Sequence, residues 1–317
     1  MIKEPKKILI IHLGALGDLM LSRPALLSIR KYFKKSEIHF LGKPHLIALI
    51  KKELDIKEIF NIEGRLFLNF FAGSADFLKI YDLVILFARY KRPQWNIIFE
   101  KAPTWFIQTI PSENNIHIAL YQKNQLSQYG IKGISQFIPL SFSSSISMSK
   151  ADYFIHPGSG SVTKNWLPQY FTKVIAEFSS LKPGLIVGPA DEEIAEEILF
   201  FLENQYPRLY KKIIILKNLS LLELALIMQQ GIFYLGNDSG ISHLAAALGI
   251  PTFVIFGPTD AKIWQPWGKK VITFTSKISC APCSDEKRRN CKQRICLEDI
   301  KPEEVVEGIR RVIKAVA

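Results

Sequence analysis

Cysteine is nearly absent from this chain: four in 317 residues, all between positions 280 and 296, so nothing outside that segment can be disulfide-linked or thiol-ligated. Long hydrophobic runs are absent too. None approaches the roughly 20 residues that a membrane-crossing helix needs. The opening MIKEPKKILIIHLGALGD has lysines before a short apolar stretch, but no cleavage site follows; it reads as a first buried strand, and a cytoplasmic chain is expected. Acid is scarce in one half only. Residues 1–150 hold 21 Lys and Arg against 11 Asp and Glu, the remainder 20 against 18. Of the net charge of +12, +10 therefore belongs to the N-terminal half. Its partner would be nucleic acid, an anionic membrane surface or a phosphorylated or carboxylated substrate, with a lysine-rich solvated surface as the plain alternative.

What is present is a soluble globular composition, 48% hydrophobic and 22% charged, in a chain long enough for two cores. Apolar strands alternate with helical patterns: KKILIIHL, LMLSRPALLSIRKYF, EIHFLG, HLIALIKKEL, EIFNI, the helix-like LFLNFFAGSADFLKI, YDLVILF, APTWFIQTI, and HIALYQKNQLSQYGI closed by Gly130. At residues 140–152 the pattern dissolves into serine-rich sequence, then restarts from YFIHPG and runs to TFVIFG. The amphipathic helix KPEEVVEGIRRVIKAV ends the chain, with Pro302 near its start. Such alternation is the mark of parallel sheets covered on both faces. The expected architecture is α/β: two Rossmann-like, doubly wound domains facing each other across a cleft, residues 1–145 and 146–317. The final helix, about 302–316, is a candidate to pack back on the first domain.

Three loops carry chemistry. HLGALGDLMLSRPAL sets Gly14, Gly17 and Asp18 between the first strand and first helix, where open α/β sheets bind ligands. The glycines lack dinucleotide spacing and Asp18 would repel a pyrophosphate. Asp18 is therefore either a helix cap or a general base. IHPGSGSVTKNWLP places Ser159, Gly160 and Lys164 after a strand, where close backbone approach, hydroxyls and a point charge suit phosphate without the P-loop spacing. YLGNDSGISHLAAALGIP crowds Asp238, Ser239, Gly240, Ser242 and His243 at a helix mouth, whose free N–H groups and dipole favour anions. His243 reads equally as a residue packed under that loop. In GLIVGPADEE, Glu192 suits a ribose diol or simply a helix's first turn.

Together GALGDLMLSRPAL, HPGSGSVTKNWLP, GNDSGISHLAAALGIPTFVIFGPTD and CAPC…CKQRICLEDIKPEEV resemble the ADP-heptose:lipopolysaccharide heptosyltransferases, glycosyltransferase family 9, over about residues 6–315. The resemblance implies a GT-B fold with the acceptor on the first domain and the nucleotide sugar on the second. It implies inverting transfer of L-glycero-D-manno-heptose from ADP-heptose to the inner core of lipopolysaccharide, with no cofactor needed for catalysis. It also implies Asp18 as catalytic base, Lys164 on the leaving phosphate, Asp238, Ser239, Gly240 and His243 around the diphosphate sugar, and Glu192 on the ribose. The basic half would then meet an anionic, lipid-linked core oligosaccharide at the inner-membrane surface, with LFLNFF and RYKRPQW as docking elements. The alternatives are a family relative moving another nucleotide-linked sugar, and an inactive nucleotide-sugar-binding protein. Nucleic acid is not expected as a partner, because no aromatic-basic interleaving accompanies SDEKRRNCKQR.

The cysteines are spaced Cys280-x2-Cys283-x7-Cys291-x4-Cys296. Clustered thiols in a cytoplasmic chain suit a structural zinc, though the spacing is looser than a zinc ribbon's; disulfides and free thiols remain the other readings.

Overall fold

The structure, a computed structural model, describes residues 4–64, 75–111, 116–143 and 151–314. The expected LFLNFF element lies outside the described residues, as does most of the serine-rich stretch. The chain divides into two compact units, Met1–Phe137 and Ile138–Ala317, ahead of the boundary expected at 145/146.

The first unit holds a five-stranded parallel sheet. Its strands are β1 (Lys7–His12), β2 (Glu37–Gly42), β3 (Ile56–Asn61), β4 (Leu83–Ala88) and β5 (Thr104–Gln108), ordered β3-β2-β1-β4-β5. Ile8, Leu9, Ile10, Val84, Ile85 and Leu86 are buried without alternation, as strands covered on both faces must be. At about 1.5–3 kcal/mol for each fully buried large side chain, these two central strands anchor the unit. The crossover from β1 to β2 is the helix Leu16–Tyr32. HLIALIKKEL, expected to be helical, buries Leu46, Ile47, Leu49, Ile50 and Leu54, but only Pro44–Ile47 is α-helical. The i to i−3 bonds of Leu49 to Leu46 and Ile50 to Ile47 tighten the chain beyond Ile47 into turns. HIALYQKNQLSQYGI divides into an α-helix, Ile118–Asn124, and a 3-10 turn, Gln125–Tyr129, closed by Gly130 at φ 77°.

The second unit holds β6 (Tyr153–His156), β7 (Pro183–Val187), β8 (Ile214–Lys217), β9 (Tyr234–Asn237), β10 (Thr252–Phe256) and β11 (Val271–Thr275), parallel throughout and ordered β11-β10-β9-β6-β7-β8. Strand β11 was not expected from the sequence; it is a partly exposed edge and lacks the continuous apolar run of its neighbours. Tyr153 stacks on Phe233 at 4.6 Å, and Trp166 meets Phe171 edge-on at 5.1 Å, in one core with Phe253 and Leu297. The helix Pro302–Lys314 adds Val305, Val306 and Ile309 to this same core. Its apolar face is thus buried on its own unit, and charged residues 303, 304, 307 and 310 occupy the rest of its surface.

Topology fixes where ligands can sit. In the first sheet the chain leaves β1 for β2 on one side and returns as β4 on the other; in the second, β6 is flanked by β7 and β9. Ligands of open α/β sheets bind at such reversal points, outside the carboxyl ends of the strands. The loops after β1 and β4, and after β6 and β9, are those that carry the sequence motifs.

Candidate active site

At the reversal point of the second sheet, Lys164 Nζ donates to the Asp238 carboxylate at 3.0 Å and to the Asp238 carbonyl at 2.8 Å. Thr259 Oγ1 donates to the same carboxylate at 2.8 Å. Three loops, after β6, β9 and β10, therefore meet on Asp238. The Lys164 ammonium has three protons, so two directed bonds leave one for a ligand. Asn237 ties the floor together: its amide donates to the Pro157 carbonyl and its Oδ1 accepts from the Trp166 N–H at 3.0 Å. Trp166 in turn donates to the Ile300 carbonyl at 3.0 Å and is fully buried, which fixes the end of the lysine loop.

Ser239 and Gly240 open the helix Gly240–Leu248, which Gly249 ends at φ 83°. Although Ser239 occupies the cap position, its side chain makes no capping bond, so the first-turn N–H groups keep their directed valence. His243, one turn on, is buried within the helix's inner face. A Cβ at Gly160 would meet nothing within 4 Å, so no protein neighbour demands a glycine there. Ser159 is engaged inside its own loop, its hydroxyl 2.6 Å from the Ser161 carbonyl and 2.7 Å from Asn165 Oδ1. Glu192 starts the helix Glu192–Gln205, is exposed, and pairs with Lys217 at 2.9 Å.

Sequence reasoning overlooked His156 and Asp191. His156 ends β6; its Nε2 lies 3.0 Å from Asp191 Oδ2, and its Nδ1 lies 3.2 Å from Ser239 Oγ. Asp191 also accepts from the Gly188 N–H at 3.0 Å. Burial alone would raise the Asp191 pKa, but the hydrogen bond and charge of His156 and the Gly188 N–H outweigh it and hold the carboxyl below its ordinary value. A Cβ on Gly158 would stand 1.6 Å from Asp191 Oδ1, so the glycine makes room for this carboxylate. The available signal was a polar residue ending an apolar strand, and an Asp before the two glutamates of the next loop.

At the reversal point of the first sheet, Asp18 is the third residue of its helix and its Oδ2 accepts from the Ala15 N–H at 2.8 Å. Gly14 is required for this fold-back: a Cβ there would lie 2.5 Å from Asp18 Cβ. Gly17 is the second residue of the same helix. Beneath lies His12, whose Nδ1 accepts from the Gly14 N–H at 3.3 Å while Nε2 faces Ser22 Oγ at 3.0 Å. Burial lowers the His12 pKa to about 4 against the opposing charge of Asp18. After the neighbouring β4, Arg89, Lys91 and Arg92 are exposed, with Lys91 Nζ over Phe99 at 5.3 Å. Trp95 of RYKRPQW is buried and unavailable for docking.

All four cysteines, none of them in a disulfide, line one cavity of about 20 Å³ with Thr163, Pro258, Arg288 and Arg294. Burial and the neighbouring thiols push Cys296 up to about 11. Four thiols, the donor type zinc prefers, line this one cavity, yet among the described residues no group of three or more His, Cys, Asp or Glu is placed so that it could hold a metal ion.

The family model for glycosyltransferase family 9 (heptosyltransferase) matches residues 86–293. The chain is similar to lipooligosaccharide heptosyltransferase 2 of Campylobacter jejuni, 27% identical over 96% of this chain and 98% of the relative. Its fold matches the solved glycosyltransferase family 9 protein of Veillonella parvula (TM-score 0.76, 19% identity, 98% of each chain). It also matches an Escherichia coli ADP-heptose lipopolysaccharide heptosyltransferase II (TM-score 0.74, 16% identity, 98% of this chain and 99% of that one). Two parallel Rossmann-like units in this arrangement of strands are the GT-B fold, and with more than half its length matched the chain belongs to glycosyltransferase family 9, the heptosyltransferases.

Proposed function

We propose that this enzyme transfers L-glycero-D-manno-heptose from ADP-heptose to the inner core of lipopolysaccharide or lipooligosaccharide, with inversion at the anomeric carbon. The observation that supports it most is Lys164 held by Asp238 beside an uncapped helix end. The first-turn N–H groups and the Lys164 ammonium take the diphosphate, and Glu192 takes the ribose diol in exchange for Lys217. Asp18 accepts the proton of the attacking acceptor hydroxyl through Oδ1, Oδ2 being committed to Ala15. The new bond joins the acceptor oxygen to the anomeric carbon as the bond to the β-phosphate oxygen breaks, and ADP leaves with the electron pair. Fixed donors act most strongly where that charge develops. The names of the relatives, rather than any contact in this chain, supply the sugar and the acceptor. Arg89, Lys91 and Arg92 suit the anionic groups of a lipid-linked acceptor at the inner-membrane surface, approached from the cytoplasm. No described helix is long and apolar enough to cross a membrane.

The test is ligand-dependent thermal stability with ADP, UDP, GDP and NAD. At about 100 Kd a ligand specific for the folded state adds roughly 2.7 kcal/mol. An ADP-selective shift lost in Lys164→Ala is expected, with kcat lower by about 100-fold. A UDP or GDP preference would keep the fold and discard the heptose donor. For the thiols we propose a structural zinc that closes Cys280, Cys283, Cys291 and Cys296 together, outside the chemistry. Metal analysis of the reduced protein should then find one zinc per chain, lost in Cys280→Ser; no uptake from supplied zinc rules it out.

A further inference from the structure

Two helices of the nucleotide-binding unit begin with good capping residues that do not cap. Asp191 precedes the helix Glu192–Gln205 and Ser239 precedes the helix Gly240–Leu248, and neither side chain bonds to its own helix. The same chain caps other helices in the ordinary way: Ser220 accepts from Glu223 N, and Asp260 from Lys262 N. What removes both side chains is one imidazole. His156 takes Asp191 on Nε2 at 3.0 Å and Ser239 on Nδ1 at 3.2 Å, with the three residues 5%, 6% and 7% exposed.

The direction of the first bond follows from the charge. Asp191 is a carboxylate and can only accept, so Nε2 carries the proton and donates to it, while Nδ1 and the Ser239 hydroxyl share the second bond. Ser242, the other hydroxyl near it at 3.3 Å, donates to the Asn237 carbonyl and is itself met by the Tyr234 hydroxyl at 3.0 Å. The network is closed, and it holds Ser239 off the N–H groups that a serine in this position would ordinarily accept from. We propose that His156, oriented by Asp191, is a positioning residue of the donor site: it keeps Ser239 from capping the helix Gly240–Leu248 and so reserves that helix end for the diphosphate. A free serine there would compete with every phosphate oxygen for the same N–H groups. Because Asp191 directly precedes Glu192, the same imidazole also joins the ribose loop to the diphosphate loop through buried bonds. This inference rests on the reading of the second unit as the ADP-sugar site.

The experiment is ADP binding by calorimetry to the full chain and three variants, each checked for an unchanged melting cooperativity. His156→Gln places an amide near the position of Nε2 and removes the Nδ1 partner of Ser239; Ser239 is then released to cap, and the Kd for ADP should rise about fivefold. Adding Ser239→Ala to that variant removes the competitor, and should recover most of the lost affinity. His156→Asn, which keeps a polar partner for Ser239 near Nδ1 and gives up Asp191, should lose less than His156→Gln. An unchanged Kd in His156→Gln, or a double variant weaker than the single, overturns the proposal. The parent protein supplies a test that needs no variant: ¹⁵N chemical shifts of His156 should show a protonated Nε2, with and without ADP. A bare Nε2 would mean that Asp191 does not orient the ring, and would also overturn the proposal. If the parent fails to bind ADP, the donor-site reading falls and takes this one with it; if Lys164-dependent ADP binding is intact and His156→Gln binds equally well, only the positioning role falls.

Discussion

Asp18 commits one carboxylate oxygen to the Ala15 N–H and keeps the other free, so holding the helix start and accepting a proton are compatible roles for one side chain. The residue below it makes this corner sensitive to acid. His12 is 4% exposed, and its pKa falls from 6.5 to about 4 because burial disfavours the imidazolium. The unfolded chain therefore takes up a proton below pH 6.5 that the folded one refuses until about pH 4. Stability contributed at this site is complete above pH 6.5, falls as the pH drops, and levels off below about 4. At pH 5 the loss is about 2 kcal/mol. Urea melts of the parent and His12→Gln at pH 7 and pH 5 check it: the parent should lose more stability than the variant between the two, and parallel losses would contradict the assignment.

At the scale of elements, the two glycines of the loop after β6 separate packing from binding. Gly158 faces the Asp191 carboxylate, which His156 and Gly188 hold in place, so Gly158→Ala cannot be absorbed by a flexible neighbour. It should cost about 1–3 kcal/mol, the usual cost of overpacking a fixed site. Gly160 borders open space, and Gly160→Ala should change stability by less than about 0.5 kcal/mol while weakening ADP binding. Equal destabilisation by the two substitutions would show that the loop packs differently. The same elements show what could be read beforehand. Strands β1, β4, β9 and β10 announced themselves as unbroken apolar runs, Gly130 as a helix end, and the loops holding Asp18, Lys164 and Asp238 by their glycines and position. The His156 link was not legible, because it joins residues 35 and 83 positions apart and no local spacing records such a contact. Edge strand β11 was missed for the opposite reason: half-exposed strands carry a weak pattern.

For the whole molecule, the charge asymmetry follows the two units. The basic excess lies in residues 1–150, which hold Asp18 and the exposed Arg89, Lys91 and Arg92, while the near-neutral remainder carries the Lys164–Asp238 pair and the uncapped helix. The proposed anionic acceptor on the first unit and ADP-linked sugar on the second would account for that division. The decisive measurement is mass spectrometry of a heptose-deficient core acceptor incubated with the enzyme and ADP-heptose, with released ADP counted in parallel. One heptosyl group should be gained per ADP released, at a rate about 100-fold lower in Asp18→Asn, which retains ADP binding. An acceptor left unmodified, or ADP released without heptose transfer, would contradict heptosyl transfer by this enzyme.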